Sequence, residues 1–138
     1  MKINNSSRFN CLPEAFLFDT DNTLYPYKPA HTAAINAVCD KVVSTFSITP
    51  EEFNRVFKEA RNHVKTRLRN TASSHSRLLY LQHMLEIMGL GSQVLLALDF
   101  EQTYWRTFLS NAILFDDVKE LLDDIRLLGI PIAIVTDL

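Results

Sequence analysis

Cysteine is scarce in this chain of 138 residues: there are two, Cys11 and Cys39, spaced like neither a metal knuckle nor a redox pair. A disulfide-stapled scaffold is therefore excluded, and the low count suits a reducing compartment. An excess of one charge is also missing. The balance of 14 Lys and Arg against 16 Asp and Glu leaves a net charge of -2 and a pI near 6.0, with no electrostatic footprint for a polyanion. No apolar run approaches the ~18 residues of a membrane span, and the polar stretch Met1 to Arg8 lacks a signal-peptide core. The expectation is a cytoplasmic protein acting on a small molecule, with no nucleic-acid or membrane partner. What is abundant is apolar side chain, at 47%, enough for a sizeable core.

Ala15-Phe16-Leu17-Phe18 is a short apolar run with the aromatic content of a strand covered on both faces, as in parallel sheets. Tyr25-Pro26-Tyr27-Lys28-Pro29 then turns the chain, because each proline lacks a donor and restricts its predecessor. Helical spacing follows. From Thr32 to Phe46 the stripe is Ile35, Val38, Val42 and Phe46. Thr49-Pro50-Glu51-Glu52 supplies an N-cap hydroxyl, a proline at the first position and a glutamate for a capping box, ahead of Phe53, Val56, Phe57, Ala60, Val64 and Leu68. A third helix presents Leu78, Leu81, Met84, Leu85 and Met88 until Gly89 and Gly91 stop it. The fourth runs from Ser92 to Asn111 with Leu95, Leu98, Tyr104, Trp105, Phe108 and Leu109. In the fifth, Asp116 or Asp117 caps the stripe Val118, Leu121, Leu122, Ile125 and Leu128, and Gly129 is the exit. Ile130 to Val135 is a second β-branched run, ending in Thr136-Asp137-Leu138.

This order is one enlarged βαβ unit. A crossover places the two strands parallel and adjacent, roughly 4.8 Å apart, with Asp19, Asp21 and Thr136 converging at their ends. The fold class is therefore α/β, a Rossmann-like parallel sheet of which two strands are expected here. Residues 1–27 form the first core segment, 28–114 a helical insertion and 115–138 the second core segment.

The first run ends in Asp19-Thr20-Asp21-Asn22-Thr23-Leu24. Ligands of open α/β sheets bind beyond the carboxyl ends of strands, so two carboxylates one residue apart are well placed for chemistry there. An EF-hand loop also begins Asp-x-Asp, but its sixth and twelfth positions require glycine and glutamate. Here they hold Leu24 and Ala30. The plain structural alternative is a turn whose aspartates cap local amides.

Phe16-Leu17-Phe18-Asp19-Thr20-Asp21-Asn22-Thr23 and Ile132-Ala133-Ile134-Val135-Thr136 resemble the first two motifs of the haloacid dehalogenase-like hydrolase superfamily, and the helical stretch between them looks like its inserted cap. The resemblance implies a phosphatase-type enzyme acting on a small phosphorylated metabolite through an aspartyl-phosphate, with Asp19 as nucleophile and Asp21 as general acid and base. True dehalogenases lack the second aspartate. It further implies Mg²⁺, held by the Asp19 carboxylate and the Asp21 backbone carbonyl. Thr136 would bond a phosphoryl oxygen, and the amides around Asn22 and Thr23 would cradle phosphate. Asn22, Thr23, Thr136 and Asp137 are thus candidate substrate-binding residues.

Arg61 to Arg69 and Ser73 to Arg77 are basic for their length. Arg77 or His75 is a candidate grip on an anionic substrate; the alternative is a solvated helix face. His31, His63 and His83 have no metal-like spacing, and Trp105 and the methionines read as core. The superfamily pattern also carries a lysine and an acidic pair after the second strand, and nothing after Thr136 supplies them. A fragmentary chain is the expectation, with three readings open: the N-terminal part of a phosphohydrolase, a non-catalytic remnant, or a phosphomutase.

Overall fold

β1 (Phe16–Phe18) is followed by α1 (Tyr27–Phe46), α2 (Pro50–Leu68), α3 (Arg77–Ile87), α4 (Val94–Asn111), α5 (Asp116–Leu127) and β2 (Ile132–Ile134), with a 3-10 turn at Ala72–His75. These elements are those of a computed structural model, which describes residues 11–136. The chain divides into two compact units. One joins the residues up to Tyr27 with those from Ala112; the other runs from Lys28 to Asn111. Among the described residues, no helix is long and apolar enough to cross a membrane.

In the first unit β1 and β2 pair in parallel, Phe16 opposite Ile132, Leu17 opposite Ala133 and Phe18 opposite Ile134. The ladder is extended by Phe16 N–H donating to Pro131 O and Val135 N–H to Phe18 O, both at 2.9 Å. Pro131 is tolerated because it sits just ahead of the strand and contributes only its carbonyl. Alternation puts Phe16 and Phe18 on one face, ring centroids 5.9 Å apart, and Leu17 on the other. The expectation of cover on both faces does not hold among the described residues. Leu17 is 71% exposed and Ile134 59%. Among the described residues this unit has one helix, α5, and a single helix can cover only one face of a sheet.

Helix α5 starts differently from the sequence reading. Its N-cap is Phe115, which offers no side-chain hydrogen bond, while Asp116 and Asp117 lie in the first turn, where they favour the positive end of the helix dipole. Only Val118 and Ile125 of its stripe are buried. Its exit is as expected: Gly129, at φ +67°, donates to Arg126 O and Ile130 N–H donates to Ile125 O, the paired bonds of a Schellman ending. The chain is thereby reversed straight into β2.

In the helical unit each helix contributes a stripe at spacings of three and four. Ala30, Ala34, Val38 and Val42 of α1, Phe53, Val56, Ala60 and Val64 of α2, and Ala97, Phe100, Tyr104 and Phe108 of α4 are buried, with Tyr80, Leu81, Met84 and Leu85 of α3. Counting only large residues mislocated two faces. Ile35 and Phe46 are half-buried while Ala30 and Ala34 are fully buried, and Leu95 and Leu109, expected inside, are 83% and 70% exposed. Helix α1 also begins five residues earlier than expected, at Tyr27, because a proline within the first turn removes no intrahelical bond. Thr49 caps α2 as expected, its hydroxyl accepting from Glu52 N–H.

These faces predict a contrast in urea unfolding. Phe100→Ala, which empties a fully buried site, should cost about 3–5 kcal/mol, whereas Leu95→Ala should stay within about 0.5 kcal/mol. Loss of the Thr49 cap in Thr49→Ala should cost about 1 kcal/mol.

Candidate active site

The loop that leaves β1 closes on itself within a few residues. Leu24 N–H and Thr23 N–H both donate to Thr20 O, at 2.9 and 3.2 Å, and Asn22 N–H donates to Tyr25 O at 2.8 Å. Asn22 makes the reversal at φ 60°, a left-handed conformation that asparagine tolerates better than most residues. Its side chain then accepts from Tyr27 N–H at 3.2 Å, at the start of α1. Leu24 is buried and its carbonyl accepts from Phe115 N–H, which ties the loop to the start of α5.

Both carboxylates are oriented by hydroxyls from within this loop. Thr23 Oγ1 donates to Asp19 Oδ2 at 3.1 Å, and the Tyr25 hydroxyl donates to Asp21 Oδ1 at 2.7 Å. Among the described residues, Asp19 Oδ1 and Asp21 Oδ2 accept no side-chain hydrogen bond. Asp19 is exposed and Asp21 half-buried. The end of β2 joins through one contact, in which the hydroxyls of Thr20 and Thr136 share a hydrogen bond of 2.7 Å across 116 residues of sequence. The paired strand ends therefore set Thr136 against Thr20, the residue between the two aspartates.

Strand, aspartate loop, helical insertion and second strand together lie within residues 13–137, over which the chain matches the haloacid dehalogenase-like hydrolase family. The chain belongs to that family. Among curated proteins, a ribulose-1,5-bisphosphate 5-phosphatase of Halopiger xanaduensis is 35% identical over 125 residues, which cover 90% of this chain and 52% of that protein. The chain thus spans about half the length of that relative.

Within this haloacid dehalogenase-like hydrolase the other sequence candidates fall in several places. Asp137 lies outside the described residues. The amides of Asn22 and Thr23, expected to cradle phosphate, are spent on closing the turn. Arg77 belongs to the helical unit, at the start of α3, where its guanidinium lies 5.6 Å from the Tyr104 ring centre and 5.8 Å from that of Trp105. One of its nitrogens donates to His75 O at 2.6 Å. Beside it, the Lys65 ammonium is held below its usual value by partial burial and then by the Arg61 and Arg77 charges. A positive patch therefore exists on this unit.

The donor set of the loop is all oxygen, two carboxylates and backbone carbonyls, which suits a hard cation that keeps several waters. Among the described residues, no group of three His, Cys, Asp or Glu side chains converges on a metal position. One carboxylate with a backbone carbonyl is nonetheless a sufficient protein share for Mg²⁺ when substrate phosphate and water complete the shell.

Two loop residues escaped the sequence reading, Thr20 and Tyr25. Thr20 stands between the aspartates, where nothing in the local pattern marks it. Tyr25 follows Asp21 by four residues and reads as a turn residue beside Pro26; its role needs the reversal at Asn22. Its phenol titrates above the usual 10.0, chiefly through burial and next through the hydrogen bond to Asp21. The protonated phenol is thus the form favoured by folding, so its share of stability is complete below about pH 10 and is lost as pH rises through the folded value. In ultraviolet tyrosinate titration of the parent chain, the Tyr25 transition, identified as the one lost in Tyr25→Phe, should fall late. Asp21→Asn should move that transition down only part of the way, since burial persists.

Proposed function

We propose that this chain carries the nucleophile-bearing part of a Mg²⁺-dependent phosphohydrolase acting on a small phosphomonoester. The observation that supports it most directly is the pair of oriented carboxylates at the end of a parallel strand, with a threonine from the neighbouring strand end bonded to the Thr20 hydroxyl between them in sequence. Asp19 Oδ2 takes the Thr23 hydroxyl, which leaves Oδ1 to attack phosphorus and form an aspartyl-phosphate. As that bond forms, the bond to the leaving oxygen breaks, and Asp21 Oδ2 gives the departing alkoxide its proton. Water then attacks the same phosphorus and returns a proton to Asp21, releasing phosphate and regenerating Asp19.

Tyr25 holds the Asp21 carboxyl in one orientation through both steps. Thr136, joined to Thr20, offers its hydroxyl to a phosphoryl oxygen. Asn22 and Thr23 act by setting the loop rather than by touching substrate. Mg²⁺, held by the Asp19 carboxylate and the Asp21 carbonyl, would offset the repulsion between carboxylates and phosphate. Residues 28–111 serve as the cap that selects substrate, and Arg77 with Arg61 and Lys65 gives this segment affinity for an anion. The activity for which the Halopiger relative is named, on a sugar bisphosphate, supports a phosphorylated sugar as substrate class.

The chain spans about half the length of the Halopiger relative, so the 138-residue polypeptide alone should release little phosphate from p-nitrophenyl phosphate with Mg²⁺. A chimera in which residues 13–137 replace the matching half of the Halopiger protein should hydrolyse phosphomonoesters in a Mg²⁺-dependent manner. In that chimera Asp19→Asn should abolish turnover and Asp21→Asn should lower kcat about 100- to 10,000-fold. A folded chimera whose turnover survives Asp19→Asn would overturn the assignment of the nucleophile.

A further inference from the structure

His63 of α2 and His83 of α3 stand 20 residues apart in sequence and face each other across the helix pair. His63 Nδ1 lies 3.1 Å from His83 Nε2, with ring centres 5.3 Å apart. On the far side of the second ring, His83 Nδ1 lies 2.9 Å from Glu86 Oε2. A carboxylate only accepts, so the His83 proton sits on Nδ1 and its Nε2 lone pair points at His63. This is the outer-shell arrangement that orients a metal-binding imidazole: a carboxylate on one ring nitrogen, the other nitrogen presented.

We infer that His63 and His83 form an exchangeable site for a divalent transition metal ion of the Zn²⁺ type, with Glu86 as the orienting partner of His83. Imidazole nitrogens suit Zn²⁺, Cu²⁺ and Ni²⁺. With Zn–N bonds of about 2.0–2.1 Å, two tetrahedral ligand atoms lie roughly 3.3 Å apart, only slightly more than the distance observed. Binding needs the His63 proton to move from Nδ1 to Nε2, a change of tautomer that leaves both rings neutral. The two rings and Glu86 line a cavity of about 620 Å³ together with Thr66, Gln82, Arg67 and the apolar Val64, Leu68 and Leu79. That cavity gives water or a small ligand access to the remaining coordination positions. Among the described residues no third His, Cys, Asp or Glu completes the set, so the site has the open coordination of an exchangeable ion rather than the four protein ligands of a structural one. The site is built entirely within the helical unit and does not rest on the function proposed for the aspartate loop.

Calorimetric titration of the 138-residue chain with ZnCl₂, together with nitrogen NMR of the imidazoles, tests it. One equivalent should bind with the His63 and His83 ring signals shifting together. Each of His63→Ala and His83→Ala should remove that equivalent while helical circular dichroism is retained, because both side chains lie at the surface of the helix pair. Glu86→Gln should weaken binding about 10- to 100-fold. Cys11→Ser and His31→Ala should leave it intact. The proposal fails if no equivalent binds, if binding survives His83→Ala, or if it is lost with Cys11→Ser.

Discussion

Parallel pairing of β1 with β2 sets the geometry of the polar cluster, because the two strand ends carry side chains that are separated by more than a hundred residues of chain. With Phe18 held opposite Ile134, the residues just beyond each strand come level, and Thr20 and Thr136 meet. A slip of one residue would turn every side chain of a strand to the opposite face and carry Thr136 away from the loop. The register is held by few bonds, and it is supported from both ends: Pro131 O accepts Phe16 N–H, and Gly129 turns α5 directly into β2.

The aspartate loop gains its own order from inside. Three backbone bonds close the turn, Asn22 accepts the left-handed conformation, and buried Leu24 anchors it to the start of α5. Hydroxyls of Thr23 and Tyr25 then each hold one oxygen of a carboxylate. Such local preorganisation is what a nucleophile and an acid-base group require, since geometry that is set before substrate arrives need not be ordered during the reaction. The sheet itself is less protected. Parallel strands are ordinarily covered on both faces, yet Leu17, Ile134 and Val135 are exposed, and among the described residues both outer strand edges are unpaired. The Halopiger relative has about as much chain again as the part matched here.

Much of this was legible in the residues. The two short apolar runs, the five helices, the Thr49 cap and the Gly129 exit follow from periodicity and capping chemistry, which are local. The parallel adjacency of the strands also follows, from the rules of crossover connections. What misled were cases in which size stood in for burial. Ala30 and Ala34 are fully buried in the α1 stripe, and a stripe counted on large residues alone passes over them. The amides of Asn22 and Thr23 could not be assigned from sequence either, since whether an amide is free depends on which carbonyl the turn brings to it.

By itself the sequence determined which groups stand at the strand ends: two carboxylates one residue apart after a β-type run, and a threonine after another, are covalent facts about the order of the chain. Tertiary structure decided the partners. Tyr25 reaches Asp21 only after the reversal at Asn22, Thr20 reaches Thr136 only across the paired strands, and His63 reaches His83 only where α2 packs on α3. The physical reason is one of range. Propensity, capping and periodicity act over a turn or two, whereas a hydrogen bond between distant residues depends on a register and a helix packing to which every other contact in the unit contributes.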